Sequence, residues 1–194
     1  SGGYRGSDDL FGEVNMHSKK IALGLSGGVD SAVAAALLTE QGFDVTGVYL
    51  DIGTHGWDDA KKTADKLGID FCVVDIQDLL EEEICRPFAE EYLRGGTPSP
   101  CVACNPKVKL RTLMETADRI GADKIATGHY ARVCGGRLYK GALTNDQSYM
   151  LCKLTPDILS RLELPLGGMD KVQVREKAAE LGLDVADKPD SMEI

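Results

Sequence analysis

Two short strings in the 194 residues carry side chains whose types and spacing suit chemistry. The first is Ser26-Gly27-Gly28-Val29-Asp30-Ser31, which follows the apolar run Ile21 to Leu25 and opens an Ala- and Leu-rich stretch. Glycines between a strand and a helix let the backbone turn tightly and approach a ligand. The free amides and dipole of the helix start then favour an anion such as a phosphate. Ser26 and Ser31 add hydroxyls, and Asp30 stands where a carboxylate caps the helix or helps hold a metal ion. The plain alternative is a tight turn with a capping Asp. No Gly-Lys-Ser/Thr ending follows, so this is not a Walker loop, and the dinucleotide fingerprint is missing too.

The second string is Thr97-Pro98-Ser99-Pro100-Cys101-Val102-Ala103-Cys104-Asn105. It sets two thiols three residues apart, beside Lys107, Lys109 and Arg111. A thiolate is the reactive form, and neighbouring cations favour it. By itself a C-x-x-C suits half a zinc site, a redox pair or part of an iron–sulfur site. No second C-x-x-C occurs, which disfavours a zinc finger. Of the other four cysteines, Cys72, Cys134 and Cys152 read as packing or incidental, and Cys85 as half-buried on a helix. Three prolines between 97 and 106 predict an irregular loop held near the surface.

The elements that must position these strings alternate. Strands are predicted at 21–25, 45–50, 71–74 and 124–127, with a last short one at 183–185. Helices are predicted at 30–41, 57–67, mostly through 76–93, and at 109–120, 156–162 and 171–181. Gly42, Gly68 and Gly121 stand at three helix ends and Asp170 at the last helix start. A small hairpin arm is predicted around 137–140. The alternation implies an α/β fold, a doubly wound parallel sheet with helices on both faces. Ligands of such sheets sit beyond the carboxyl ends of the strands, near the switch point, where both strings fall.

Composition narrows the function classes. With 22 Lys and Arg against 31 Asp and Glu, the net charge is −9. Nucleic-acid binding by bulk charge is therefore excluded, and an RNA partner needs a local basic patch. Lys107, Lys109, Arg111, Arg132 and Arg137 would suit one if they shared a face. Apolar residues make up 43%, enough for a core and against disorder. No apolar run approaches the ~20 residues of a membrane span, so no membrane association is expected. Six cysteines in a chain of this size read as thiols of a reducing cytoplasm.

The string SGGVDS resembles the PP-loop of the ATP pyrophosphatase superfamily, whose members adenylate a substrate oxygen and release pyrophosphate. Three further strings sharpen the resemblance. TPSPCVACN is similar to the T-P-N-P-x-x-x-C-N loop of the tRNA-specific 2-thiouridylases, the MnmA/TrmU family. Ala126-Thr127-Gly128-His129-Tyr130-Ala131-Arg132 and Asp146-Gln147-Ser148-Tyr149 match its A-T-G-H-Y-A-R and D-Q-S-Y, and Lys188 to Ser191 resembles its K-x-D-S. Order and spacing agree from about Lys20 to Ile194.

The resemblance implies an adenine-nucleotide-hydrolase-like fold and a tRNA uridine 2-sulfurtransferase. Such an enzyme adenylates the C2 oxygen of the wobble uridine with ATP and Mg²⁺ and replaces it with sulfur. Gly24, Leu25, Ser26, Gly27, Gly28, Val29, Asp30 and Ser31 would bind the phosphates, with Leu50 and Gly128 by the adenosine. Cys104 would be the nucleophile and Asp30 the catalytic carboxylate. Ser99, Pro100 and Cys101 would lie against the uridine; family members commonly carry Asn at the place of Ser99 and either Cys or Asp at that of Cys101. His129, Asn145, Asp146 and Gln147 would face the tRNA. Taken without the resemblance, His129 reads as a buried, hydrogen-bonded histidine and Asp146-Gln147 as a solvated helix start. A persulfide on Cys104 is one sulfur route, supplied by a cysteine desulfurase or sulfur relay. A [4Fe–4S] cluster on Cys101, Cys104 and a further cysteine is the other.

The same resemblance places a second catalytic cysteine just after K-x-D-S-x-x-I, beyond Ile194, followed by tRNA-binding β domains. The expected organisation is therefore a leader or tag remnant at 1–15 and a PP-loop catalytic domain at 16–194 of a longer protein. Two alternatives stay open: an adenylating sulfurtransferase for a small molecule, and an ATP-binding scaffold for a sulfur-relay partner.

Overall fold

In the computed structural model, described here for residues 19–142 and 144–183, five strands form one parallel sheet. They are β1 (Lys20–Gly24), β2 (Asp44–Asp51), β3 (Asp70–Asp75), β4 (Lys124–Ala126) and β7 (Leu162–Glu163). Their order is β3-β2-β1-β4-β7. Ile21 of β1 stands between Val45 of β2 and Lys124 of β4. The chain winds outward from β1 in both directions, so the switch point lies between β1 and β4. A separate antiparallel pair, β5 (Ala131–Cys134) and β6 (Arg137–Lys140), is the expected hairpin arm.

Strand alternation divides the core. Ile21 and Leu23 face α1 (Val29–Glu40), α2 (Asp58–Leu67) and α8 (Lys171–Glu180), packing with Ala32, Ala64 and Val174. Ala22 turns to the other face, against Leu113 and Ala117 of α6 (Leu110–Ile120) and Ile158 of α7 (Pro156–Arg161). Ala32, Val33, Ala34, Ala35 and Ala36 are all buried, because α1 lies between the sheet and two helices, and its exposed residues Thr39 and Glu40 are at its end. Helices α2 and α6 end at Gly68 and Gly121 as expected. Asp170 caps α8 through a full capping box with Gln173.

Four expectations need correction or limit. The segment 97–106 is not an irregular loop: α5 (Pro100–Cys104) begins there and runs through a π-helical turn, Asn105–Lys109, into α6. Pro100 occupies the first helical position, where the missing N–H would bond nothing. Pro106 falls in the wider π turn, where a skipped bond is tolerated. The prolines do not keep Cys104 at the surface either; it is 6% exposed. The stretch after Ile76 is helical, but as α3 (Gln77–Leu80), a second π turn (Glu81–Cys85) and α4 (Arg86–Leu93). The helix expected to reach Leu162 stops at Arg161; Leu162 is its extended C-cap and with Glu163 forms β7, two residues that leave no periodic signal. Leu183 is irregular, and residues 184–194, with the K-x-D-S string, lie outside the described residues, as do 1–18. Among the described residues no helix is long and apolar enough to cross a membrane.

Candidate active site

The loop between β1 and α1 is tied by its two serines. Ser26 N donates to Ser31 Oγ at 3.2 Å, the two hydroxyls are 3.1 Å apart, and Ser31 Oγ donates to Gly28 O at 3.1 Å. Gly27 has φ +81°, and a Cβ there would meet Ala60 N at 3.1 Å. Gly28 is the residue that caps α1, without a side-chain bond. Asp30 is therefore inside the first turn, and the expectation that its carboxylate caps the helix is corrected.

That carboxylate faces a partner from the far end of the chain. Lys171 Nζ donates to Asp30 Oδ1 at 2.9 Å and Oδ2 at 2.7 Å, and Tyr130 Oη donates to Oδ1 at 2.6 Å. The Lys171 ammonium also stands 5.6 Å from the centre of the Tyr130 ring. Both charged side chains are mostly covered, 18% exposed for Lys171 and 29% for Asp30.

Across the switch point, the segment after β4 packs onto this loop. A Cβ on Gly128 would stand 3.0 Å from the Asp30 carbonyl carbon and the Ser31 nitrogen. His129 is buried, its Nδ1 2.7 Å from Thr127 Oγ1, as expected for a hydrogen-bonded histidine after a strand. Gln147 grips Tyr130 twice: its Oε1 accepts from Tyr130 N at 3.0 Å and its N donates to Tyr130 O at 2.9 Å.

These elements enclose a cavity of about 400 Å³. One wall holds Gly24, Leu25, Ser26, Gly28, Val29, Asp30 and Ser31. An apolar wall holds Leu50 with Val48, Tyr49, Ile52, Ile76 and Leu80. Cys104, Lys109 and Leu113 form a third side, and Gly128, His129, Asn145 and Gln147 a fourth. The cysteine string and the serine–glycine loop, separate in sequence, thus meet in one cavity. Gly27, Ser99, Pro100, Cys101 and Asp146 are not among its lining residues. Ser99 precedes α5 as its N-cap, and Cys101 is half-buried on its first turn.

Asp146 does structural work beside the cavity. It accepts from Gly141 N at 2.9 Å, Ser148 N at 3.1 Å and Ser148 Oγ at 2.9 Å. The Gly141 bond, against some burial and helped by both Ser148 groups and the Lys140 charge, holds its carboxyl below the usual range. Asn105, 1% exposed, fastens α5: its Nδ2 donates to Cys101 O at 3.0 Å and to Met150 O at 3.4 Å.

Lys171 and Tyr130 complete the site without having been singled out as functional, and Lys109 joins it from the expected cation cluster. Tyr130 lay within a noted string, but Lys171 opens α8 with no local pattern to mark it. The expected cation cluster is partly diverted, since Lys107 pairs with Glu83 and Arg111 with Glu115. Among the described residues no three His, Cys, Asp or Glu side chains gather as metal ligands.

A family model described as the tRNA methyl transferase HUP domain matches residues 19–194. The tRNA-specific 2-thiouridylase MnmA of Heliobacterium modesticaldum is 47% identical over 195 residues, 90% of this chain and 51% of that protein. Its counterpart in Carboxydothermus hydrogenoformans is 44% identical over 199 residues, covering 91% and 54%. The chain spans about half the length of these curated relatives. Among solved structures, a 4-thiouridine synthetase in an RNA complex with bound ATP superposes with TM-score 0.58 at 20% identity, over 88% of this chain and 43% of that one. The NMN synthetase of Francisella tularensis gives 0.57 at 21%, over 91% and 68%. At such identities the likeness is one of fold.

Proposed function

The chain belongs to the family described as the tRNA methyl transferase HUP domain, together with the MnmA tRNA-specific 2-thiouridylases, and on that premise we propose that residues 16–194 form the ATP-dependent catalytic domain of a tRNA uridine 2-sulfurtransferase. The observation that carries this reading is the shared cavity: Cys104 lines the same 400 Å³ space as the serine–glycine loop.

The residues suit ATP. Gly27 lets the loop pack against the start of α2 and Gly128 lets the segment after β4 pack against Asp30 and Ser31, and the amides of the loop and of the α1 start suit a polyphosphate. Ser26 and Ser31 add hydroxyls, Leu50 and its apolar neighbours suit an adenine, and Gly128 would sit by the adenosine. Asp30 would be the carboxylate for Mg²⁺, which would displace Lys171 from its two oxygens and turn that ammonium toward the phosphates. When bound, ATP supplies an adenylyl group that makes the uridine C2 oxygen a leaving group.

Every other role falls to the chain. The loop amides and Lys171 stabilise the charge of departing pyrophosphate. Cys104 takes sulfane sulfur from a donor protein, such as a cysteine desulfurase or sulfur relay, as a persulfide. Its terminal sulfur attacks C2 and AMP leaves; a second cysteine thiolate then attacks Cys104 Sγ and breaks the S–S bond, so the 2-thiouridine departs and the two cysteines are left as a disulfide, which an external thiol reduces before the next turnover. His129, Asn145 and Gln147 line the path of the uridine, which must be flipped from a single-stranded loop to reach the cavity. Ser99, Pro100 and Cys101 stand at the approach to it, and Asp146 holds the turn that carries Gln147. Cys101 and Cys104 offer a [4Fe–4S] cluster two thiolates, and the described residues place no third beside them. Thiol chemistry of this kind suits the cytoplasm.

The test is pyrophosphate release from ATP with and without tRNA. Release that depends on a uridine-containing tRNA supports the reading. Release without RNA favours a small-molecule substrate, and nucleotide binding without release favours a scaffold.

A further inference from the structure

The β5–β6 hairpin takes no part in the chemistry above. Its strands pair from Ala131 opposite Lys140 to Cys134 opposite Arg137. They turn through Gly135 and Gly136, both at positive φ (56° and 70°), the conformation of a tight two-residue hairpin turn. From 131 to 145 the sequence holds Arg132, Arg137 and Lys140 and no carboxylate, within a chain of net charge −9. All three cations are exposed, and Tyr139 is 45% exposed beside them.

The arm is anchored at the cavity rim. Gly141, which follows β6, donates to Asp146 at 2.9 Å, and Tyr130, which precedes β5, is gripped by Gln147. A Cβ on Gly141 would lie 2.4 Å from Tyr130 O, so the two ends of the arm close tightly. His129, Asn145 and Gln147, at its base, line the cavity itself. Arg132 Nε donates to Lys140 O at 3.0 Å, bracing the strands, with Lys140 at the base of the arm opposite Ala131 and Arg137 at its tip opposite Cys134. The carboxylates nearby are engaged: Asp146 by backbone and Ser148, and Glu163 by Lys124 at 3.1 Å.

We propose that this hairpin is the arm by which the domain holds the phosphate backbone of its RNA substrate next to the nucleotide entering the cavity. Arg137 and Lys140 meet phosphates, and Tyr139 offers an exposed ring to an unstacked base or ribose. The inference rests on the RNA-directed reading of the site. Charge complementarity selects the partner: an isolated basic strip on an acidic protein attracts a polyanion there and repels it elsewhere.

The experiment is binding of a labelled tRNA to the unmodified chain and to Arg137→Glu/Lys140→Glu, by anisotropy over a KCl series. ATP binding by calorimetry is measured on both proteins. The double variant is expected to bind tRNA about tenfold or more weakly, with a salt slope shallower by about 2, and to bind ATP as before. Equal tRNA affinity and equal slope would overturn the hairpin's role and leave the RNA-directed reading standing. An unmodified chain that binds ATP but no tRNA would overturn both.

Discussion

Lys171 Nζ lies within 2.9 Å of both carboxylate oxygens of Asp30, although 141 positions separate the two residues. The pair joins the start of α8 to the start of α1, with the Tyr130 hydroxyl as a third member. It places a cation from the end of the described chain at the loop proposed to hold phosphate. Replacing Lys171 with Met removes that charge from the cavity. ATP affinity is expected to fall about tenfold, with a stability loss of about 1 kcal/mol because the pair is only partly screened by solvent. Calorimetry and denaturant unfolding read the two effects separately.

Gly128→Ala tests the close approach of the two loops. The new methyl would meet backbone atoms of Asp30 and Ser31 at 3.0 Å, and backbone cannot swing aside as a flexible side chain can. Overpacking of this kind costs about 1–3 kcal/mol. The variant is expected to melt lower and to bind ATP more weakly; an unchanged melting temperature would contradict the packing argument.

How much of this was legible in the sequence depends on range. The strand–helix alternation and the SGGVDS turn are local, so the parallel sheet and its phosphate-like loop could be read directly. The cysteine string was misread as structure. Prolines bar a helix interior, but Pro100 sits at a helix start and Pro106 in a π turn, which composition does not show. The strand Leu162–Glu163 is too short for any period. Lys171 belongs to the site only because α8 folds back over α1, a long-range fact with no local mark.

Asn105 offers a test of how α5 is held. Its amide is buried and bonds the carbonyls of Cys101 and Met150. Asn105→Ala leaves those carbonyls with fewer donors and opens a small void, at a cost of about 1–3 kcal/mol. Thermal unfolding should show the loss, and alkylation of Cys104 should become faster as the helix loosens.

Asp146 predicts an acid dependence. Its carboxyl is held below 3.8 in the folded protein, chiefly by the Gly141 amide. A group depressed on folding contributes stability above its unfolded value, and the contribution is lost as pH falls through the folded value. Unfolding measured from pH 6 down to about pH 2 should therefore decline more steeply for the native protein than for Asp146→Asn over the acid end of that range. Parallel curves would remove Asp146 from the acid response.

Delivery of sulfur by Cys104 inside the cavity proposed to bind ATP can be followed directly. In protein that carries the second cysteine, Cys104 is charged with isotopically labelled sulfane sulfur by a cysteine desulfurase and mixed with ATP and tRNA for a single turnover, and labelled 2-thiouridine is measured by mass spectrometry. Label is expected in the uridine, dependent on ATP, and none from Cys104→Ser, which should still bind ATP. Equal labelled 2-thiouridine from the serine variant, or a persulfide that stays on Cys104 while ATP and tRNA are both bound, would contradict it.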